Sequence, residues 1–123
     1  MFFSDDFLES LKDDDPFLAV QKLCKELQGF LAGVKSDDLQ SYNLALDAYG
    51  FLYAFAKRNE IKNEKIDFDG NRSRNIERIN VFASDISHLA EKQYTEKMMS
   101  TATKKYNLLF GNEFYYELVD FQD

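Results

Sequence analysis

Apolar residues recur along this chain at intervals of three and four, and no stretch alternates with the period of two that marks a strand. Phe7, Leu8 and Leu11 form the first group, behind Ser4, whose hydroxyl suits the free amides of a helix start. Asp13, Asp14 and Asp15 then interrupt the pattern. Asp15 before Pro16 opens a second helix, the acid as cap and the proline preset for the first turn. Phe17, Val20, Cys24, Leu27, Leu31 and Val34 follow along one face, to an expected end near Gly33. Ser36, Asp37 and Asp38 start a third helix, because carboxylates favour the positive end of the helix dipole.

The third helix, about 37–58, is the most apolar. Tyr42, Ala45, Leu46, Tyr49, Leu52, Tyr53 and Ala56 fill one face, and Leu44, Ala48, Phe51 and Phe55 cover a second. Only Gln40, Asn43, Asp47, Gly50, Ala54 and Arg58 remain as a solvent stripe. A helix apolar over most of its circumference belongs in the middle of a bundle. Residues 59–70 make the one long polar connection, ending in the turn signal Asp69-Gly70. From about 71 to 110 helical spacing resumes: Ile76, Ile79, Phe82 or Ala83, Ile86, Leu89 or Ala90, Tyr94 and Met98, then Tyr106, Leu109 and Phe110. Unbroken, that helix would be roughly 57 Å long, against about 33 Å for the third. Such a length leaves an overhang without a core. Ser100-Thr101-Ala102-Thr103 is poor helix material, so a bend or break is expected there. Asn112 is placed to cap a last short helix. The expected fold is all-α: a single-domain bundle over 1–123, of four or five helices around the third.

Composition adds constraints to this pattern. A chain of 123 residues has the length of one domain, and its 45% hydrophobic content with twelve phenylalanines supplies a core. Cys24 is alone, which leaves no intrachain disulfide and no sign of a secreted scaffold. The first residues are acidic where a signal peptide needs a basic leader, and the most apolar stretch, 44–56, is far short of the ~20 residues that span a bilayer. The expectation is a cytoplasmic protein.

Charge is sorted along the chain. Acids crowd residues 1–50 at Asp5, Asp6, Glu9, Asp13, Asp14, Asp15, Glu26, Asp37, Asp38 and Asp47, against Lys12, Lys22, Lys25 and Lys35. Most other bases lie between Lys57 and Lys105, and the tail holds Glu113, Glu117, Asp120 and Asp123 with no base. A net charge of −7 argues against nucleic acid and anionic membranes as partners, and for a positively charged protein.

Catalytic sets are incomplete. A small acidic helical bundle with one histidine is similar to histidine phosphotransfer domains, which place a lysine three residues after the histidine, then a glycine. Here Glu91 stands at that lysine position after His88 and no glycine follows. Helical metal sites need repeated Glu-x-x-His pairs, and Asp85-Ile86-Ser87-His88 has no second histidine to join it. Around Asp67-Phe68-Asp69-Gly70-Asn71 a calcium loop would require carboxylates where Lys65 and Ile76 stand. Glu117-Leu118-Val119-Asp120 matches half of the magnesium motif of all-helical nucleotide pyrophosphohydrolases, without the upstream glutamates. The reading is therefore no enzyme and no cofactor or metal.

Two groups remain as candidate sites. Arg72, Arg74 and Arg78 sit at a helix start, where cations oppose the dipole, so an anion is expected beside them. It is an acidic cluster of the same chain, a small anion such as phosphate, or the backbone of a weakly held RNA. Glu113, Tyr115, Tyr116, Glu117 and Asp120 combine tyrosine anchors with carboxylates that steer toward lysine and arginine. In size and composition, though in no motif, the chain is similar to the small acidic immunity proteins of bacteriocin and contact-toxin systems. That likeness implies an immunity protein or antitoxin occluding the cationic surface of a basic toxin such as a nuclease. The alternative expectation is a helical adaptor or subunit of a larger assembly.

Overall fold

The computed structural model describes residues 1–110. Among them are four helices and no strand: α1 (Asp5–Ser10), α2 (Pro16–Leu31), α3 (Leu39–Arg58) and α4 (Arg72–Phe110). None is long and apolar enough to cross a membrane. One compact unit covers Met1–Glu91; a second begins at Lys92, and its described part is the latter half of α4.

Helix starts follow the capping chemistry of the sequence. Ser4 Oγ accepts from Phe7 N at 3.1 Å and Asp15 Oδ1 from Phe17 N at 2.9 Å. The cap of α3 is Asp38, whose carboxylate takes the amide of Ser41 at 3.4 Å and its hydroxyl at 2.7 Å. Ser36 and Asp37 lie in the preceding turn, so this helix begins two residues later than expected. α2 stops at Leu31, before Gly33.

α3 occupies the centre of the first unit. Every residue of its expected solvent stripe, from Gln40 to Arg58, is exposed, while Tyr42, Ala45, Ala48, Tyr49, Leu52 and Ala56 are buried. α2 covers one side with Ala19, Val20, Leu23, Cys24, Leu27 and Leu31. The first part of α4 covers another: the Phe82 ring meets Tyr49 at 5.0 Å and Tyr53 at 6.2 Å, beside buried Ile79, Ala83 and Ile86. Near the chain start Phe3 is 2% exposed, with its ring 5.3 Å from Phe51 and 5.9 Å from Phe7. Phe2 N donates to Asp47 Oδ2 at 2.8 Å, which ties this aromatic plug to α3.

The connection between α3 and α4 is less polar than its composition suggests. Ile61 is buried, and Ile66 and Phe68 pack partly against the core. Tyr49 Oη accepts the Ile66 amide at 2.8 Å, so the strap has a hydrogen-bonded fixing point in the interior. Its turn off α3 is a Schellman motif: Ile61 N donates to Ala56 O at 2.9 Å and Glu60 N to Lys57 O at 3.1 Å. That geometry puts Glu60 at φ 63°, in the left-handed region where a Cβ is strained.

α4 runs through Ser100–Thr103 without a break. The propensity penalty of serine and threonine is a few tenths of a kcal/mol each, too small alone to interrupt a long helix. Thr101 Oγ1 turns back onto Lys97 O at 3.0 Å, so its hydroxyl bonds within the helix rather than competing for a turn.

Replacing Phe3 by alanine should destabilise the protein by about 3 kcal/mol or more, the usual cost of emptying a buried phenylalanine site. Urea denaturation of Phe3→Ala checks it. Glu60→Gly should instead stabilise by about 0.5 to 1 kcal/mol, since glycine relieves the left-handed strain and loses part of that gain to chain entropy. An upward shift in the denaturation midpoint is the expected readout.

Candidate functional site

The arginine-bearing start of α4 is built around Asp69. Asp69 Oδ1 accepts the Asn71 amide at 2.8 Å, and Asn71 Oδ1 in turn accepts the Arg74 amide at 3.0 Å, closing the first turn of the helix. Asp69 Oδ2 takes a hydrogen bond from Arg74 Nη1 at 3.1 Å and lies 3.7 Å from Arg78 Nη1. Arg78 Nη1 also donates to Asp67 O at 3.0 Å. Asn75 anchors the turn from below. Fully buried, it donates through Nδ2 to Tyr42 Oη and to Asp69 O, both at 2.8 Å, and accepts the Asp69 amide at 3.3 Å.

The three arginines of the sequence pattern therefore do not act together. Arg74 and Arg78 converge on one carboxylate. Arg72 reaches Ser36 O at 3.5 Å, with its guanidinium 5.7 Å from the Tyr42 ring centre. The anion expected at this helix start has an intramolecular occupant, and an external anion would have to compete with Asp69. The Asn71 amide, followed by the Arg74 and Arg78 charges, holds the Asp69 carboxyl below its ordinary value of 3.8.

The other candidate site, Glu113, Tyr115, Tyr116, Glu117 and Asp120, lies outside the described residues, as does the capping position Asn112. His88 is exposed on α4. Cys24 is fully buried, and burial pushes its thiol up to about 12, so it packs as a small hydrophobe. Among the described residues no three His, Cys, Asp or Glu side chains gather as a metal-binding group. Asp69 and Asn71 of the calcium-like run serve the turn.

Many N-terminal acids have local partners. Asp15 and Asp38 cap helices, Asp47 holds the Phe2 amide, Glu9 pairs with Lys12, and Asp14 pairs with Lys22 at 2.9 Å. Asp5, Asp6, Asp13 and Asp37 are exposed, and among the described residues none has a base within ion-pair distance.

α1 has six residues and is too short to cover the second apolar face of α3, so a cleft of about 410 Å³ opens between α1, α2 and α3. Leu8, Leu11, Leu23, Phe51 and Phe55 wall it, and Arg58 also lines it. Its signal in the sequence is the pair Phe51 and Phe55, which a helix interrupted at Asp13 cannot fully cover.

Asp69→Asn should lower stability at neutral pH. A depressed carboxyl contributes above its unfolded value and loses that contribution as pH falls through its folded value. The gap between wild type and Asp69→Asn should therefore be full at pH 6 to 7 and close below about pH 4. Thermal unfolding of both proteins across that range is the measurement.

No family model, no curated protein and no solved structure matches this chain.

Proposed function

We propose that this chain is a non-catalytic acidic binding protein whose partner is a basic protein. The most concrete form is an immunity protein or antitoxin that occludes the cationic surface of a toxin such as a nuclease. The carrying observation is the set of acids left over after the fold has used its share. Asp5, Asp6, Asp13 and Asp37 are exposed and unpaired among the described residues, in a chain of net charge −7. Carboxylates of this kind raise the rate of encounter with a cationic partner and repel nucleic acid. In the sequence pattern, Glu113, Glu117 and Asp120 extend that charge around Tyr115 and Tyr116, which supply large contact area with few rotors.

A second reading, a helical subunit or adaptor of a larger assembly, has its own support. The latter half of α4 exposes Leu108 at 85%, Leu109 at 75% and Met98 at 41%. Leucines this open are suited to an apolar contact with another chain. Light scattering separates the two readings: a stable larger complex of the purified protein favours the subunit.

The immunity reading is tested with the product of a neighbouring gene that encodes a basic toxin domain. Binding should be tight at low salt and weaken as ionic strength rises. Tyr116→Ala should cost ~2 kcal/mol or more of binding energy with helicity unchanged. Absence of salt-sensitive binding to that product rejects the proposal, and loss of helicity in the variant assigns Tyr116 to the core.

A further inference from the structure

The cleft between α1, α2 and α3 combines apolar walls with one charge that is unpaired among the described residues. Its floor is core: Leu11, Ala19 and Leu23 are buried. One wall is α3, where Phe51 and Phe55 stack with ring centres 6.2 Å apart and planes within 13°. Residues 51, 55 and 58 are spaced i, i+4 and i+7, so Arg58, at the edge of the solvent stripe, borders the face that carries the two rings.

The charges that line the cleft are not equivalent. Lys12 pairs with Glu9, and Asp14 pairs with Lys22. Arg58 has no carboxylate within ion-pair distance among the described residues. The unbalanced charge at the cleft is thus a single guanidinium, a group built to bind a carboxylate through two parallel hydrogen bonds. Its position in the last turn of α3 is one where the helix dipole favours a cation.

Size narrows the occupant further. The cleft's 410 Å³ falls within the range of small-molecule sites. At roughly 30 Å³ for each non-hydrogen group, the share of a water in the liquid, it takes about a dozen such groups. The neighbouring groove between α1 and α2, lined by Phe7, Phe30, Lys22, Lys25 and Glu26, mixes charges of both signs and selects no class of ligand.

We propose that the cleft binds a medium-chain aliphatic carboxylate, its chain against Phe51 and Phe55 and its head on Arg58. This goes beyond the binding of a basic protein and does not depend on it. Octanoate is the probe, titrated into the full chain below its micellar range and followed by NMR and calorimetry. Octanoate should saturate in the millimolar range or tighter. The largest shifts should fall on Leu8, Leu11, Phe51 and Phe55. 1-Octanol should bind more weakly, and octylammonium weakest, because it sets a cation against a guanidinium. Arg58 is on the solvent stripe, so Arg58→Gln should fold normally while weakening octanoate by about tenfold and leaving 1-octanol unchanged. Arg58→Lys should recover part of that loss. The proposal is overturned if octanoate fails to saturate below about 10 mM, if its shifts fall outside the cleft, or if Arg58→Gln binds it as wild type does.

Discussion

The structure depends on one constraint: α3 is apolar around nearly all of its circumference, and each part of that surface needs a cover. α2 supplies one, the first part of α4 a second, and the aromatic chain start and the 59–71 strap supply the rest. The stripe from Gln40 to Arg58 remains for water. Because the covers differ in length, coverage is uneven. Where α1 ends at Ser10, the Phe51–Phe55 wall is left half-buried, and the cleft is the geometric result.

Polar groups within this arrangement act as fixing points. Tyr42, Tyr49 and Asn75 are buried, and their polar atoms bond the strap or one another. A buried amide or hydroxyl without such a partner costs more than a paired one contributes, so these bonds specify where the strap lies. Asp69 extends the same logic to charge. It takes up the amide of Asn71 and two guanidiniums, which allows arginines to stand at a helix start that would otherwise repel them.

Much of the fold is legible in the sequence because helices are encoded locally. The caps Ser4 and Asp15, the interruption at Asp13–Asp15 and the solvent stripe of α3 all follow from residues within a few turns of one another. Elsewhere local signals mislead. Ser36 and Asp37 have cap chemistry, but Asp38 alone is positioned to receive Ser41. Ser100–Thr103 has weak propensity, yet α4 continues through it. The candidate sites were legible as residue types only. The arginines stand out by their place at a helix start, but their division between Asp69 and the Ser36 carbonyl depends on how the strap folds back.

The sequence by itself determined that this chain is helical, where its main helices lie, which one is central, and that its charge is acidic. Tertiary structure alone decided that Phe3 is core, that Asn75 is buried beneath the Asp69 turn, and that Arg58 lines an apolar cleft with no ion-pair partner among the described residues. The physical reason is range. Helical periodicity relates residues three and four apart, whereas Phe2 meets Asp47 across 45 positions and Tyr42 meets Asn75 across 33. No local pattern records such pairings, because they exist only once the helices have packed.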